Sequence, residues 1–104
     1  MKTEYQIYLD YNQAMRQADK LDELAAELEQ VGGTKLGEAL GQVRANWSGE
    51  NADAFLRKAN VLTTQNGKNV KKLRSIASTI RTVATNTYNA DMRALRIAQE
   101  RGYL

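Results

Sequence analysis

Few side chains in this sequence are equipped for covalent or acid–base chemistry. Its 104 residues include no cysteine and no histidine. Disulfides, thiolate metal sites, histidine metal sites and serine–histidine hydrolysis therefore cannot be assembled from it. Aspartate and glutamate can in principle pair as acid and base, yet no spacing singles out such a pair. Ser48 has no imidazole to activate it, and its hydroxyl reads as a helix cap. The expectation is a non-enzyme with no cofactor, no metal and no small-molecule substrate.

What the residue types do favour is binding. Lys68, Lys71, Lys72 and Arg74, followed by Arg81, Arg93, Arg96 and Arg101, could meet phosphates. No recognised docking motif surrounds them, and no aromatic residues are interleaved for base stacking. A small basic helical nucleic-acid-binding protein is thus the alternative reading, not the leading one. The charge is also uneven: residues 1–46 hold five basic and eight acidic groups, net −3, and residues 47–104 hold ten and four, net +6. Two such halves attract each other or a second chain, or simply keep two faces solvated. Residues 92–104 carry Leu95, Ile97, Tyr103 and Leu104 among Arg93, Arg96 and Arg101. They could lie on an anionic bilayer, but the final turns of a packed helix are the preferred reading. No apolar run reaches the ~18 residues of a membrane span. The start, Met1-Lys2-Thr3-Glu4-Tyr5-Gln6, lacks the apolar core of a cleaved signal peptide.

The elements that would carry these groups are helical. The sequence has no proline, so nothing forbids long helices. Ile7, Ala14, Leu21 and Leu28 recur every seven residues, and Tyr11, Ala18, Leu24 and Val31 fill between them, giving one apolar stripe. Gly32-Gly33 interrupts it at a cost of roughly 1 kcal/mol per glycine. Either the helix breaks there and restarts with Thr34 as cap, or it runs on with a weak point. Gly33, Gly37 and Gly41 lie four apart and would offer a smooth strip to another helix, or mark a poorly ordered segment. Trp47-Ser48-Gly49 then ends the first pattern, with Glu50 and Asp53 suited to the start of a second helix.

The second pattern is a heptad seam starting at Ala52. It passes through Phe55, Ala59, Leu62, Asn66, Asn69, Leu73, Ile76, Ile80 and Val83 to Ile97, with Leu56, Val70, Ala77, Ala84 and Ala98 widening the stripe. Asn66 and Asn69 could hydrogen-bond across the seam, or the helix could kink at Gly67. The fold class predicted is all-α: one antiparallel two-helix hairpin. Helix 1 covers about 3–46, with a break or weak point near 32–34. The turn is 47–49, and helix 2 covers about 50–100. Rods about 65–70 Å long bury only part of such stripes against each other. The hairpin is therefore expected to dimerise into a four-helix bundle, through a core and dimer seam of Leu21, Leu24, Leu28, Phe55, Leu62, Leu73, Ile76, Ile80 and Val83.

Trp47-Ser48-Gly49, with Ala52, Ala54 and Phe55 just after it, resembles the motif of the WxG (ESAT-like) family. These are small helical-hairpin substrates of type VII secretion in Gram-positive bacteria. The resemblance extends over the whole chain in length, helix layout and motif position. It implies pairing as a homodimer, or as a heterodimer with a related WxG-like protein or larger toxin. It also implies export through a machine driven by a secretion ATPase, without a cleaved signal peptide, from the cytoplasm to the exterior. The chain would then act as a secreted effector or as an adaptor for a partner's export. In the family many members carry a tyrosine followed four residues later by an acid. Here Tyr88 is followed by Met92 at that place, with Asp91 one position early, so the signal is degenerate. Trp47 also reads as a simple hydrophobic plug at a bundle end.

Overall fold

The computed structural model describes residues 1–102, and every element in them is helical. In order these are α1 (Glu4–Glu29), a π-helical segment (Gln30–Lys35), α2 (Leu36–Asn46) and α3 (Glu50–Glu100). Tyr103 and Leu104, which the membrane reading invoked, lie outside the described residues. The chain divides into two compact units, one of residues 1–21 with 75–104 and one of residues 22–74.

In the first unit α1 starts with a reciprocal cap. The Gln6 amide donates to Thr3 Oγ1 at 3.2 Å, and the Thr3 amide donates to Gln6 Oε1 at 3.1 Å. This Thr-x-x-Gln box satisfies two of the donors that a helix start leaves orphaned. The start of α1 then runs antiparallel to the last part of α3. Tyr11 meets Tyr88, with ring centroids 5.2 Å apart, and Arg81 Nη2 meets Asp19 Oδ1 at 2.8 Å. Lys2 Nζ reaches both Asp10 (2.9 Å) and Asp91 (3.6 Å). The buried apolar residues are Ile7 and Ala18 from one side and Ala77, Ala84, Leu95 and Ala98 from the other.

The second unit is a helical hairpin in its own right. Arg74 pairs with Glu29 and, nearer the turn, Arg44 Nη2 donates to Asn60 Oδ1 at 3.3 Å. Ala25, Leu40, Ala52, Ala59 and Val70 are its buried apolar residues. These ion pairs are half exposed, a setting in which a pair contributes about 0.2–1 kcal/mol, so they fix register more than they stabilise.

The contact seam on α3 differs from the one the heptad count predicts. Its inward residues follow Ala52, Ala59, Asn66, Leu73 and Ile80, as expected. The interleaved places, however, belong to Leu56, Thr63, Val70, Ala77 and Ala84 rather than to Phe55, Leu62, Asn69, Ile76 and Val83. The cause is side-chain size. Helix axes approach to about 8–10 Å according to what stands at the contact, and alanine permits the near end of that range. With alanines inside, the larger side chains flank the seam. Phe55 (47%), Leu62 (67%), Ile76 (49%) and Val83 (57%) keep much of their surface in solvent, as does Leu24 (44%). Leu21, Leu28, Leu73 and Ile80 are half-buried. The nine seam residues thus split into four that are half-buried within the chain and five that are largely exposed.

Gly32-Gly33 neither breaks the helix nor starts a new one capped by Thr34. The backbone stays right-handed on both sides, and the segment Gln30–Lys35 between them is six residues of π-helix. Opposite it, Asn66 Nδ2 donates to the Leu28 carbonyl at 3.0 Å. Asn69 does not cross the seam; it is exposed and accepts from Gln65 on its own helix. Gly67 interrupts nothing, since α3 runs through it. Gly33, Gly37 and Gly41 have open space where a side chain would stand, so among the described residues no helix packs on their Cβ side.

Candidate functional site

Two places combine unusual geometry with exposed or chemically distinct side chains, one in each unit. The first is the corner between α2 and α3. Trp47 leaves the helix with extended backbone angles (φ −137, ψ 130) while its amide still donates to the Val43 carbonyl at 2.9 Å. Gly49 then turns the chain at φ +110, where a residue with a Cβ is strained. Its carbonyl accepts from the Asp53 amide at 3.0 Å, so Gly49 occupies the cap position of α3. This corrects the reading of Ser48 as that cap: Ser48 is an exposed turn residue one position earlier. Glu50 and Asp53 lie in the first turn, where the helix dipole favours carboxylates.

The corner also presents an aromatic pair. The rings of Trp47 and Phe55 sit 5.8 Å apart at an interplanar angle of 47°. A tilted pair of this kind contributes about 0.5–1.5 kcal/mol beyond area burial. Both residues remain close to half exposed. Trp47 is therefore not a plug sealed inside a bundle end; the indole and phenyl groups together form an apolar patch open to solvent.

The second place is a cleft of about 350 Å³ in the first unit. Its walls are Ile7 and Ala14 from α1 and Ile80, Val83 and Ala84 from α3. Tyr11, Tyr88, Asp10 and Asp91 close one end. Tyr88 and Asp91, which the resemblance implied as a degenerate export signal, find partners here: Tyr88 packs on Tyr11, and Asp91 pairs with Lys2. Met92 is half-buried beside them. Hydrogen bonding to Asp10, and then the charges of Asp10 and Asp91, hold the Lys2 ammonium above the ordinary lysine value of 10.5. Sequence spacing could not reveal this cleft, because its walls come from opposite ends of the chain.

Of the basic residues considered for phosphate binding, Arg74 and Arg81 are engaged with Glu29 and Asp19. Among the described residues no group of three or more aspartates and glutamates is placed to hold a metal ion. No helix in that range is long and apolar enough to cross a membrane. No protein-family model, curated protein or solved structure matches this chain.

Proposed function

We propose that the chain is a WxG-type substrate of type VII secretion, serving as an effector or as an adaptor that escorts a partner out of the cell. The observation that carries this reading is the corner: an extended Trp47 stacked on Phe55 and a left-handed Gly49 joining two long helices. The glycine is required by backbone geometry. The tryptophan is not required by burial, since much of it is exposed. An exposed indole at a helix corner is suited to recognition by another protein, because a large aromatic surface gains much on burial.

Pairing with a second hairpin, identical or related, belongs to the same proposal. Phe55 and Leu62 in one unit, and Ile76, Val83 and Ile97 in the other, are partly exposed apolar side chains on α3 at multiples of seven residues. Covering one such side chain fully gains about 1.5–3 kcal/mol. The nucleic-acid alternative draws less support, because Arg74 and Arg81 already serve intrachain carboxylates.

The test is export. Tagged chain is followed in cells and medium of a Gram-positive host, with its secretion ATPase intact or deleted. Appearance in the medium only when the ATPase is present is the expected result. Equal amounts in the medium of both strains, or none in either, would contradict the proposal.

A further inference from the structure

The cleft in the first unit has a shape and charge that the proposed export role does not account for, although Val83, Tyr88 and Asp91 in its lining also figure in that proposal. Its floor and walls are apolar, with Ala84 buried and Ile80 half-buried. Thr79 and Asp91 mark its two ends on α3, and they stand twelve residues apart, about 18 Å along a helix axis. The cleft is thus long and narrow. The charged lining is negative and gathered at one end, where Lys2 Nζ reaches both Asp91 and Asp10, and Tyr11 and Tyr88 line the cleft with them.

That end already holds a primary ammonium. Lys2 Nζ lies 2.9 Å from Asp10 and 3.6 Å from Asp91, on a side chain that is half exposed. Lys2 itself does not line the cleft. It reaches the acidic end from the stretch preceding α1 and leaves the apolar length beyond unfilled. Two carboxylates and two tyrosine rings stabilise a cation by ion pairing and by attraction to the ring quadrupole. An apolar slot leading away from them stabilises an alkyl tail.

The geometry points to a binding site for an amphiphilic alkylammonium ligand, with its cationic head at Asp10 and Asp91 and its tail between α1 and α3. Lys2 is the built-in competitor for the head position. An anionic amphiphile is disfavoured by the two carboxylates, and a neutral one gains only from the tail. The inference does not rest on the export role; Val83 is shared with the proposed pairing face, so ligand binding and the mass of the chain are read separately.

The experiment titrates the full chain with n-octylamine, 1-octanol and octanoate, following the Tyr11 and Tyr88 ring resonances by NMR. Octylamine is expected to shift both rings saturably, octanol to bind more weakly by up to about fivefold, and octanoate more weakly still, as loss of one partly exposed ion pair implies. Lys2→Met should tighten octylamine binding by removing the competitor, and Asp91→Asn should weaken it about fivefold. Ala14→Leu, which fills the slot, should remove the tail's contribution and bring octylamine and butylamine to the same affinity. Circular dichroism checks that each variant keeps its helices. The proposal is overturned if octylamine causes no saturable shift, if octanol binds as well as octylamine, or if well-folded Lys2→Met binds octylamine more weakly than the native chain.

Discussion

Asn66 and Gly32 fit each other across the hairpin of the second unit. A Cβ built on Gly32 would stand 2.5–2.7 Å from the Asn66 amide group, closer than atoms can pack. That same amide donates to the Leu28 carbonyl, one turn before Gly32. The glycine makes room for the asparagine, and the asparagine serves a carbonyl at the edge of the π segment. Mid-helix π segments often mark strain or function; here the deformation has an identified partner on the facing helix.

This pairing makes a double-mutant prediction. Gly32→Ala gains about 1 kcal/mol of helix propensity but must displace Asn66 and lose a hydrogen bond of about 1 kcal/mol, so its net effect should be small. In an Asn66→Ala background the displacement vanishes, and Gly32→Ala should stabilise by close to the full propensity gain. Gly33→Ala, with open space around it, should stabilise by about 0.4–1 kcal/mol in both backgrounds. Urea unfolding midpoints read the cycle. Identical behaviour of Gly32→Ala in the two backgrounds would show that the two residues are uncoupled.

Both glycines and Asn66 stand out in the sequence, but not as a pair. Spacing identifies residues on one helix face; it does not report which carbonyl a side chain will meet on another helix. The seam shows the same limit. Periodicity alone does not distinguish Phe55, Leu62, Ile76 and Val83 from Leu56, Val70, Ala77 and Ala84, since both sets recur every seven residues. Close approach favours the set rich in alanine, and that is a matter of steric size rather than hydrophobicity. The all-helical character and the Trp47–Gly49 turn were legible because proline is absent and the apolar pattern stops there. The Thr3–Gln6 cap, too, is written in the sequence as Thr-x-x-Gln.

The outward apolar residues predict association. Replacing Leu62, Ile76 and Val83 with serine should leave helicity nearly unchanged, because all three are substantially exposed in the chain itself. It should weaken pairing more than tenfold, since each side chain contributes on the order of 1 kcal/mol or more if a partner covers it. Light scattering after size exclusion measures this. Native chain is expected at the mass of a pair, alone or with a co-purifying related hairpin, and the triple variant at the mass of one chain. Native and variant chains both running as single chains would remove the pairing part of the proposal.

Lys2 predicts a pH effect of definite sign. Its ammonium is held above 10.5 chiefly by the hydrogen bond to Asp10. A raised folded-state value means that the contact contributes fully below 10.5 and is lost as pH rises through the higher folded value. In an NMR titration of the Lys2 side chain, Asp10→Asn should lower the midpoint more than Asp91→Asn does. An equal drop for both would show that Asp10 is not the dominant partner.

The account as a whole stands on the corner, and export of corner variants tests it most directly. Trp47→Ala removes an aromatic contact of about 0.5–1.5 kcal/mol, and Gly49→Ala places a Cβ on a residue at φ +110. Each is compared with the native chain for tagged protein in the culture medium, with helicity and pairing checked on purified samples. The account predicts folded, paired Trp47→Ala protein that stays in the cells while the native chain leaves them. Folded Trp47→Ala and Gly49→Ala proteins reaching the medium at native levels would contradict it.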